Sequence, residues 1–304
     1  MNGLTVMSGS ANRALATRIA AALGVPLTPC TLERFPDGEL QVELLEDCRD
    51  KDVYLVQPTR PPAGEHLLEL MLLSDACRRA GARRVTAVLP YVGYARQDRR
   101  SSGGEPVGAR VVADILCSGA IDRLVAMDLH SRAVEGYFRI PVEHVTAREL
   151  LCEKLAFQGG ASEAVVVSPD LGAVKLAESF AKRLGLKVAV VLKERLSGSE
   201  VSAHGVMGEV RGRSAIVVDD LVSTGGTIAQ ACESVLAAGC TADITVVATH
   251  ALLVGPAAER LRALPIRQFI ATDSVAPPAD HGLPLVSVSV APLIAAAIRR
   301  LAGA

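Results

Sequence analysis

The chain of 304 residues has no tryptophan, and aromatic side chains make up only 3% of it. Proteins that hold nucleic-acid strands stack bases on aromatic rings beside a basic groove. Here 32 Lys and Arg face 33 Asp and Glu, the formal net charge is -1, and no basic tract occurs. A nucleic-acid surface is therefore not expected, because there is no charge excess to draw phosphate backbones. No apolar run reaches the ~20 residues of a membrane span. Asp243 and His250 interrupt the run around Val246. The opening Met-Asn-Gly-Leu-Thr lacks the basic region and apolar core of a secretion signal. A cytoplasmic protein with no membrane partner is expected. The seven cysteines, at 30, 48, 77, 117, 152, 232 and 240, form no Cys-x-x-Cys pair, so buried free thiols in a reducing compartment are expected. The six histidines have no zinc-type spacing, and no structural metal is expected. Fixed-period repeats and low-complexity stretches are also missing.

What the chain does have is alternation. Apolar strand-like segments at 4–7, 53–56, 85–89, 123–127, 164–167, 188–192, 216–218 and 244–248 alternate with helical patterns at 12–23, 65–80, 107–116, 172–184 and 228–238. Such βαβ alternation predicts mainly parallel sheets covered by helices. The length predicts two domains. The boundary is placed near 141–146, where one strand-helix block ends and another begins. The last helix, 292–302, is expected to return to the first domain. The domains expected are thus 1–145 with 290–304, and 146–289. In such sheets ligands sit beyond the carboxyl ends of the strands.

The most informative segment reads Ala215-Ile216-Val217-Val218-Asp219-Asp220-Leu221-Val222-Ser223-Thr224-Gly225-Gly226-Thr227-Ile228. A buried strand ends in two carboxylates, then turns through a Gly-rich loop into a helix. Glycines let backbone N–H groups converge, and the first helical turn adds unpaired donors with partial positive charge, which suits a phosphate. Asp219 and Asp220 are acceptors placed to hold the hydroxyls of a sugar whose phosphate sits in the loop.

Other charged motifs also follow strands. Arg34-Phe35-Pro36-Asp37-Gly38-Glu39 lies between two strand-like segments and reads as a hairpin turn. Residues 90–100 hold Tyr91, Tyr94, Arg96, Gln97, Arg99 and Arg100, a density of guanidinium groups that suits polyphosphate. Asp128-Leu129-His130 and Ser168-Pro169-Asp170 end two more strands. His130 stands where a metal or phosphate ligand would, but a capping or core histidine fits equally well. Lys193-Glu194-Arg195 opens a hydrophilic segment, 197–208, and is either a salt-bridged surface or a cationic clamp on a transferring phosphoryl group.

The loop 219–227 resembles the phosphoribosyl pyrophosphate (PRPP) binding motif of the type I phosphoribosyltransferase fold. Six motifs in one order, from Phe35-Pro36-Asp37-Gly38-Glu39 to Asp219–Thr227, extend that likeness to the whole chain, which resembles the ribose-phosphate pyrophosphokinases. The resemblance implies an α/β fold of two phosphoribosyltransferase-like domains, each a mainly parallel sheet flanked by helices, with the active site between them. It implies transfer of the diphosphoryl group of ATP to the anomeric hydroxyl of ribose 5-phosphate, giving PRPP and AMP. By the same resemblance Asp219, Asp220, Ser223, Thr224, Gly225, Gly226 and Thr227 bind ribose 5-phosphate, and His130 and Asp170 hold Mg²⁺. Arg96, Gln97 and Arg99 face ATP, joined by Phe35, Asp37 and Glu39 of a neighbouring subunit. Lys193 and Arg195 act on the transition state. A homo-oligomer follows, with a dimer as the minimal unit and a tetramer or hexamer as larger forms.

Two departures bear on regulation. The stretch Ser101-Ser102-Gly103-Gly104-Glu105-Pro106 and the serine at 223 look like archaeal-type members, which lack an ADP and phosphate regulatory site. Two other classes compete. An inactive regulatory subunit would be expected to lose Asp219, Asp220, His130, Asp170 or Lys193, all present here. A true phosphoribosyltransferase would have no use for the cations at 96–99 and 193–195.

Overall fold

The computed structural model describes residues 3–156, 163–195 and 201–303, with the backbone alone for 193–195 and 201–204. The chain divides into two compact units, Met1–Thr146 with Ser289–Ala304, and Ala147–Val288.

The first unit is built on strands β1 (Leu4–Ser8), β4 (Asp52–Val56), β5 (Arg84–Leu89), β6 (Arg123–Met127) and β7 (Val142–Val145), ordered β1-β4-β5-β6-β7. All these pairs are parallel. A two-stranded hairpin, β2 (Cys30–Arg34) and β3 (Leu40–Leu44), stands apart from the sheet. Helices α1 (Arg13–Leu23), α2 (Ala63–Arg79) and α3 (Gly108–Ser118) connect the strands. Helix α1 starts where the Asn12 side chain accepts from the Leu15 N–H at 3.2 Å, and stops at Gly24, whose left-handed φ of 74° a side chain would resist. One core cluster joins Leu55, Val85 and Leu89 of the sheet to Leu70 and Leu73 of α2 and Leu116 of α3.

The second unit carries α4 (Arg148–Ala156), β8 (Ala164–Ser168), α5 (Val174–Leu184), β9 (Lys187–Arg195), β10 (Val201–Met207), β11 (Ser214–Val222), α6 (Gly226–Ala237), β12 (Ile244–Ala251), α7 (Ala257–Arg262), β13 (Ile266–Thr272) and β14 (Leu285–Val288). Its sheet runs β10-β9-β8-β11-β12-β13-β14, with every pair parallel except β9 with β10. Val165, Val167, Val217 and Val246 lie in its buried core, because strands sandwiched between helices need apolar residues on both faces. From β8 the chain goes first to β9 on one side and then to β11 on the other. The carboxyl ends of β8 and β11 therefore flank a switch point, the natural crevice of such a sheet. The last helix, α8 (Ala291–Ala302), belongs to the first unit, where it packs on α1 and Arg300 pairs with Glu143 at 2.7 Å.

The sequence pattern ends one strand at 218 and another at 192. The structure carries both further. In β11 the parallel ladder continues past the carboxylates, pairing Asp219 with Ala248 and Val222 with Ala251. Lys193 and Arg195 fall within β9, opposite Ala203 and Val201 of the antiparallel β10, rather than opening a loop. Part of the hydrophilic 197–208 segment, residues 197–200, lies outside the described residues. The seven cysteines are free, and six of them are buried. Among the described residues no helix is long and apolar enough to cross a membrane.

Candidate active site

The second unit gathers its expected phosphate loop and acidic residues at the β8–β11 switch point. In β11, Ala215 to Val218 are buried, and Asp219 and Asp220 emerge half-buried at the carboxyl end. The Asp220 N–H donates to Asp219 Oδ1 at 2.9 Å. Burial, the Asp220 carboxylate and Asp170 together push Asp219 well above the ordinary carboxylate range. Asp170, from the β8–α5 turn, lines the same cleft as Gly226 and Thr227 at the start of α6. Asp170 Oδ1 itself accepts from the Gly172 and Ala173 N–H groups at 2.9 and 3.2 Å, which fixes its orientation.

The 223–227 loop is held from one side. The Val222 carbonyl accepts from the Leu252 and Leu253 N–H groups, and the Ser223 carbonyl from the Val254 N–H at 3.0 Å. The Thr224 carbonyl accepts from the Arg260 guanidinium at 3.2 Å. Gly225 takes a left-handed φ of 74°, and a Cβ there would lie 3.3 Å from Leu261 and 3.4 Å from Ala257, so glycine suits both the turn and the close approach of α7. Helix α6 begins at Gly226, two residues earlier than its apolar pattern indicates, and no side chain caps it. Uncapped first-turn N–H groups are the physical requirement for binding an anion. A cleft of about 1130 Å³ borders this end of the sheet, lined by Asp170, Gly172, Gly226, Thr227, Glu233 and Arg260 among others.

In the first unit, Arg96, Gln97 and Arg99 are exposed on the loop after β5. That loop is clamped by Thr59. The Thr59 hydroxyl accepts from the Gly93 N–H at 2.7 Å, and the Thr59 N–H donates to the Tyr91 carbonyl at 2.9 Å. Tyr94 holds a positive φ of 64°, a strained backbone for a bulky residue that marks over-determined, often functional, geometry. Gln97 packs against Gly108, where a Cβ would stand 2.4 Å from its Oε1. Asp128, at φ 36°, and exposed His130 follow β6. The Leu129 N–H between them donates to His144 Nε2 at 3.3 Å. Elsewhere in the unit, Glu69 accepts from the Ser10 N–H, the Ser10 hydroxyl and Gln57 Nε2 at 2.6, 2.7 and 2.5 Å, and ties the β1–α1 loop to α2.

The expected hairpin turn is present between β2 and β3. The Phe35 N–H donates to the Glu39 carbonyl at 2.9 Å, and the Glu39 N–H donates to Asp37 Oδ1 at 3.1 Å. Phe35 is 46% exposed, and Asp37 and Glu39 are also at the surface. The structure thus brings Asp170, Asp219, Asp220 and the 223–227 loop together. His130 belongs to the other unit, and the side chains of Lys193 and Arg195 lie outside the described atoms. Among the described residues no group of three or more His, Cys, Asp or Glu forms a ready metal cage. The donor set nevertheless fits Mg²⁺. It offers hard carboxylate oxygens whose mutual repulsion a dication relieves, and Mg²⁺ is commonly held by one or two carboxylates plus substrate phosphates. Two contributors escaped the sequence pattern, Arg260 and Thr59. Each meets its partner on a loop more than thirty residues away in sequence, so no local motif marks it.

Two α/β units, one carrying a Gly-rich loop and an acidic pair at a sheet switch point, define a protein of the phosphoribosyltransferase type. The family model for the N-terminal domain of ribose phosphate pyrophosphokinase matches residues 4–119, and that for the phosphoribosyl transferase domain matches residues 142–285. A ribose-phosphate pyrophosphokinase of Rhodopirellula baltica is 43% identical over 99% of this chain and 96% of its own length. That of Gloeobacter violaceus is 42% identical over 98% and 90%. The crystal structure of phosphoribosylpyrophosphate synthetase from Mycobacterium smegmatis covers 99% of both chains with a TM-score of 0.93 at 37% identity. The chain belongs to the ribose-phosphate pyrophosphokinase family. Its activity is diphosphoryl transfer from ATP to ribose 5-phosphate, and its fold is two phosphoribosyltransferase-type domains. These relatives are bacterial, so they do not carry the finer archaeal-type resemblance.

Proposed function

We propose that ribose 5-phosphate lies at the carboxyl end of β11, its phosphate in the Ser223, Thr224, Gly225, Gly226 and Thr227 loop and its ribose hydroxyls on Asp219 and Asp220. The observation that carries this placement is the loop itself. Its carbonyls are tied back to residues 252–260, and an uncapped helix start stands beside an acidic pair. ATP is assigned to Arg96, Gln97 and Arg99 of the clamped 91–99 loop. Mg²⁺, with His130 and Asp170 as expected ligands, would supply charge neutralisation on the polyphosphate when bound. Lys193 and Arg195 stabilise charge developing in transfer, because diphosphoryl transfer depends mainly on position and electrostatics. No side chain is assigned as general base.

Phe35, Asp37 and Glu39 are assigned to the ATP site of a neighbouring subunit in a homo-oligomer. The exposed hairpin tip supports this, since an apolar ring gains nothing from facing water. The archaeal-type absence of ADP and phosphate regulation is also proposed. Glu105 Oε2 accepts from the Ser101 and Ser102 N–H groups at 2.7 and 3.1 Å. The chain's own carboxylate thereby occupies backbone donors that an external anion would need. These bonds hold Glu105 below the usual carboxylate range, so it stays charged.

The placement of the sugar phosphate is tested with Asp220→Ala. The expected result is a large rise in the KM for ribose 5-phosphate with the KM for ATP little changed. Unaltered ribose 5-phosphate kinetics would refute it.

A further inference from the structure

We propose that Arg260 is a binding residue of the sugar-phosphate subsite, supplying the positive charge that the 223–227 loop lacks. The inference rests on the placement of ribose 5-phosphate in that loop. The segment from Asp219 to Thr227 contains two carboxylates and no cation. Asp170 and Glu233 add two more carboxylates to the cleft lining. A phosphate monoester brings roughly -1.5 to -2 charges into this negative surrounding. Backbone N–H groups and a helix start offer only partial charges against it. Among the described residues lining the cleft, Arg260 is the one cation.

Its position follows from the fold. The parallel pairing of β11 with β12 brings the segment after β12 beneath the loop after β11. Helix α7 then packs on the loop through Ala257 and Leu261, which a Cβ on Gly225 would meet at 3.4 and 3.3 Å. Arg260, on the same helix, donates to the Thr224 carbonyl at 3.2 Å. A Cβ on Gly226 would lie 3.5 Å from its Nη1, so the guanidinium stands at the first turn of α6. One N–H is spent on the loop backbone. The remaining donors of the planar fork match phosphate oxygens. The Thr224 contact fixes the guanidinium in place before substrate arrives, which lowers the entropy cost of using it.

The test uses Arg260→Ala, Arg260→Gln and Arg260→Lys beside Thr227→Val, with steady-state kinetics and calorimetric binding of ribose 5-phosphate alone. Arg260 is exposed, and a thermal melt of each variant checks that it folds. A charge-assisted hydrogen bond to phosphate corresponds to about tenfold to a hundredfold in affinity. Arg260→Ala and Arg260→Gln are expected to weaken ribose 5-phosphate by that factor, with the KM for ATP within about twofold of wild type. Arg260→Lys, which keeps the charge, is expected to recover most of the loss. If Arg260→Gln binds as wild type, the residue only clamps the loop and the proposal is overturned. If Arg260→Ala is silent while Thr227→Val weakens ribose 5-phosphate, Arg260 plays no part and the loop placement stands. If both are silent, the loop placement itself fails, and the proposal with it.

Discussion

Thr59 offers a sharp test of how the 91–99 loop, to which ATP is assigned, is held. It is 2% exposed, and its hydroxyl accepts from the Gly93 N–H at 2.7 Å and donates to the Tyr91 carbonyl at 3.2 Å. Thr59→Val keeps the shape and removes the oxygen. The buried Gly93 N–H then loses its acceptor. An orphaned buried donor costs about 1–3 kcal/mol. If the loop keeps its form, that appears as stability, and at about 2–4 °C per kcal/mol the Tm falls by roughly 2–12 °C. If the loop shifts to find water, the same energy appears at Arg96 and Gln97 as a rise of about fivefold to a hundredfold in the KM for ATP. Ribose 5-phosphate kinetics should hold in either case. Thr59→Ser restores the acceptor and should restore both readouts. A Thr59→Val protein with wild-type Tm and wild-type ATP kinetics would refute the reasoning, as would a Thr59→Ser variant as damaged as Thr59→Val.

Asp219→Asn is expected to stabilise the ligand-free protein at neutral pH while abolishing efficient use of ribose 5-phosphate. The Asp219 carboxyl is raised above its ordinary 3.8, so the native state holds its proton more tightly than the unfolded chain, and wild-type stability falls as pH rises from that value toward the raised one. The gain of the variant should therefore shrink in acid, as melts across pH will register, and the titration belongs to the Asp219–Asp220 pair. Lys193→Ala and Arg195→Ala should each lower kcat by about 10²–10⁴-fold with smaller changes in KM, the mark of groups acting on transition-state charge. ADP is expected to inhibit only in competition with ATP and without a phosphate requirement. Inhibition that persists at saturating ATP, measured with and without phosphate, would reveal a regulatory site despite the Glu105 contacts.

The strands and helices with strong periodicity were legible in the sequence because their apolar residues also form the core. Val217 and Leu89 are both patterned and buried. Less was legible where structure comes from long-range pairing. The β14 strand is four residues long, and its identity comes from the ladder to β13. Helix α4 has a weak apolar stripe, with charged residues interleaved along Arg148–Ala156. The ends of β11 and β9 were set by neighbouring strands rather than by the local taste of Asp, Lys or Glu for a strand. The site divides in the same way. The 223–227 loop, to which the sugar phosphate is assigned, is one contiguous motif, whereas Arg260 follows it by more than thirty residues and meets it only through β12.

The central claim is tested most directly by the products formed from ATP, ribose 5-phosphate and Mg²⁺ on the purified protein. Chromatography should find AMP and PRPP in equal amounts, neither appearing when ribose 5-phosphate is left out. Formation of ADP with a ribose bisphosphate would mean that a single phosphoryl group is transferred, and would contradict the account.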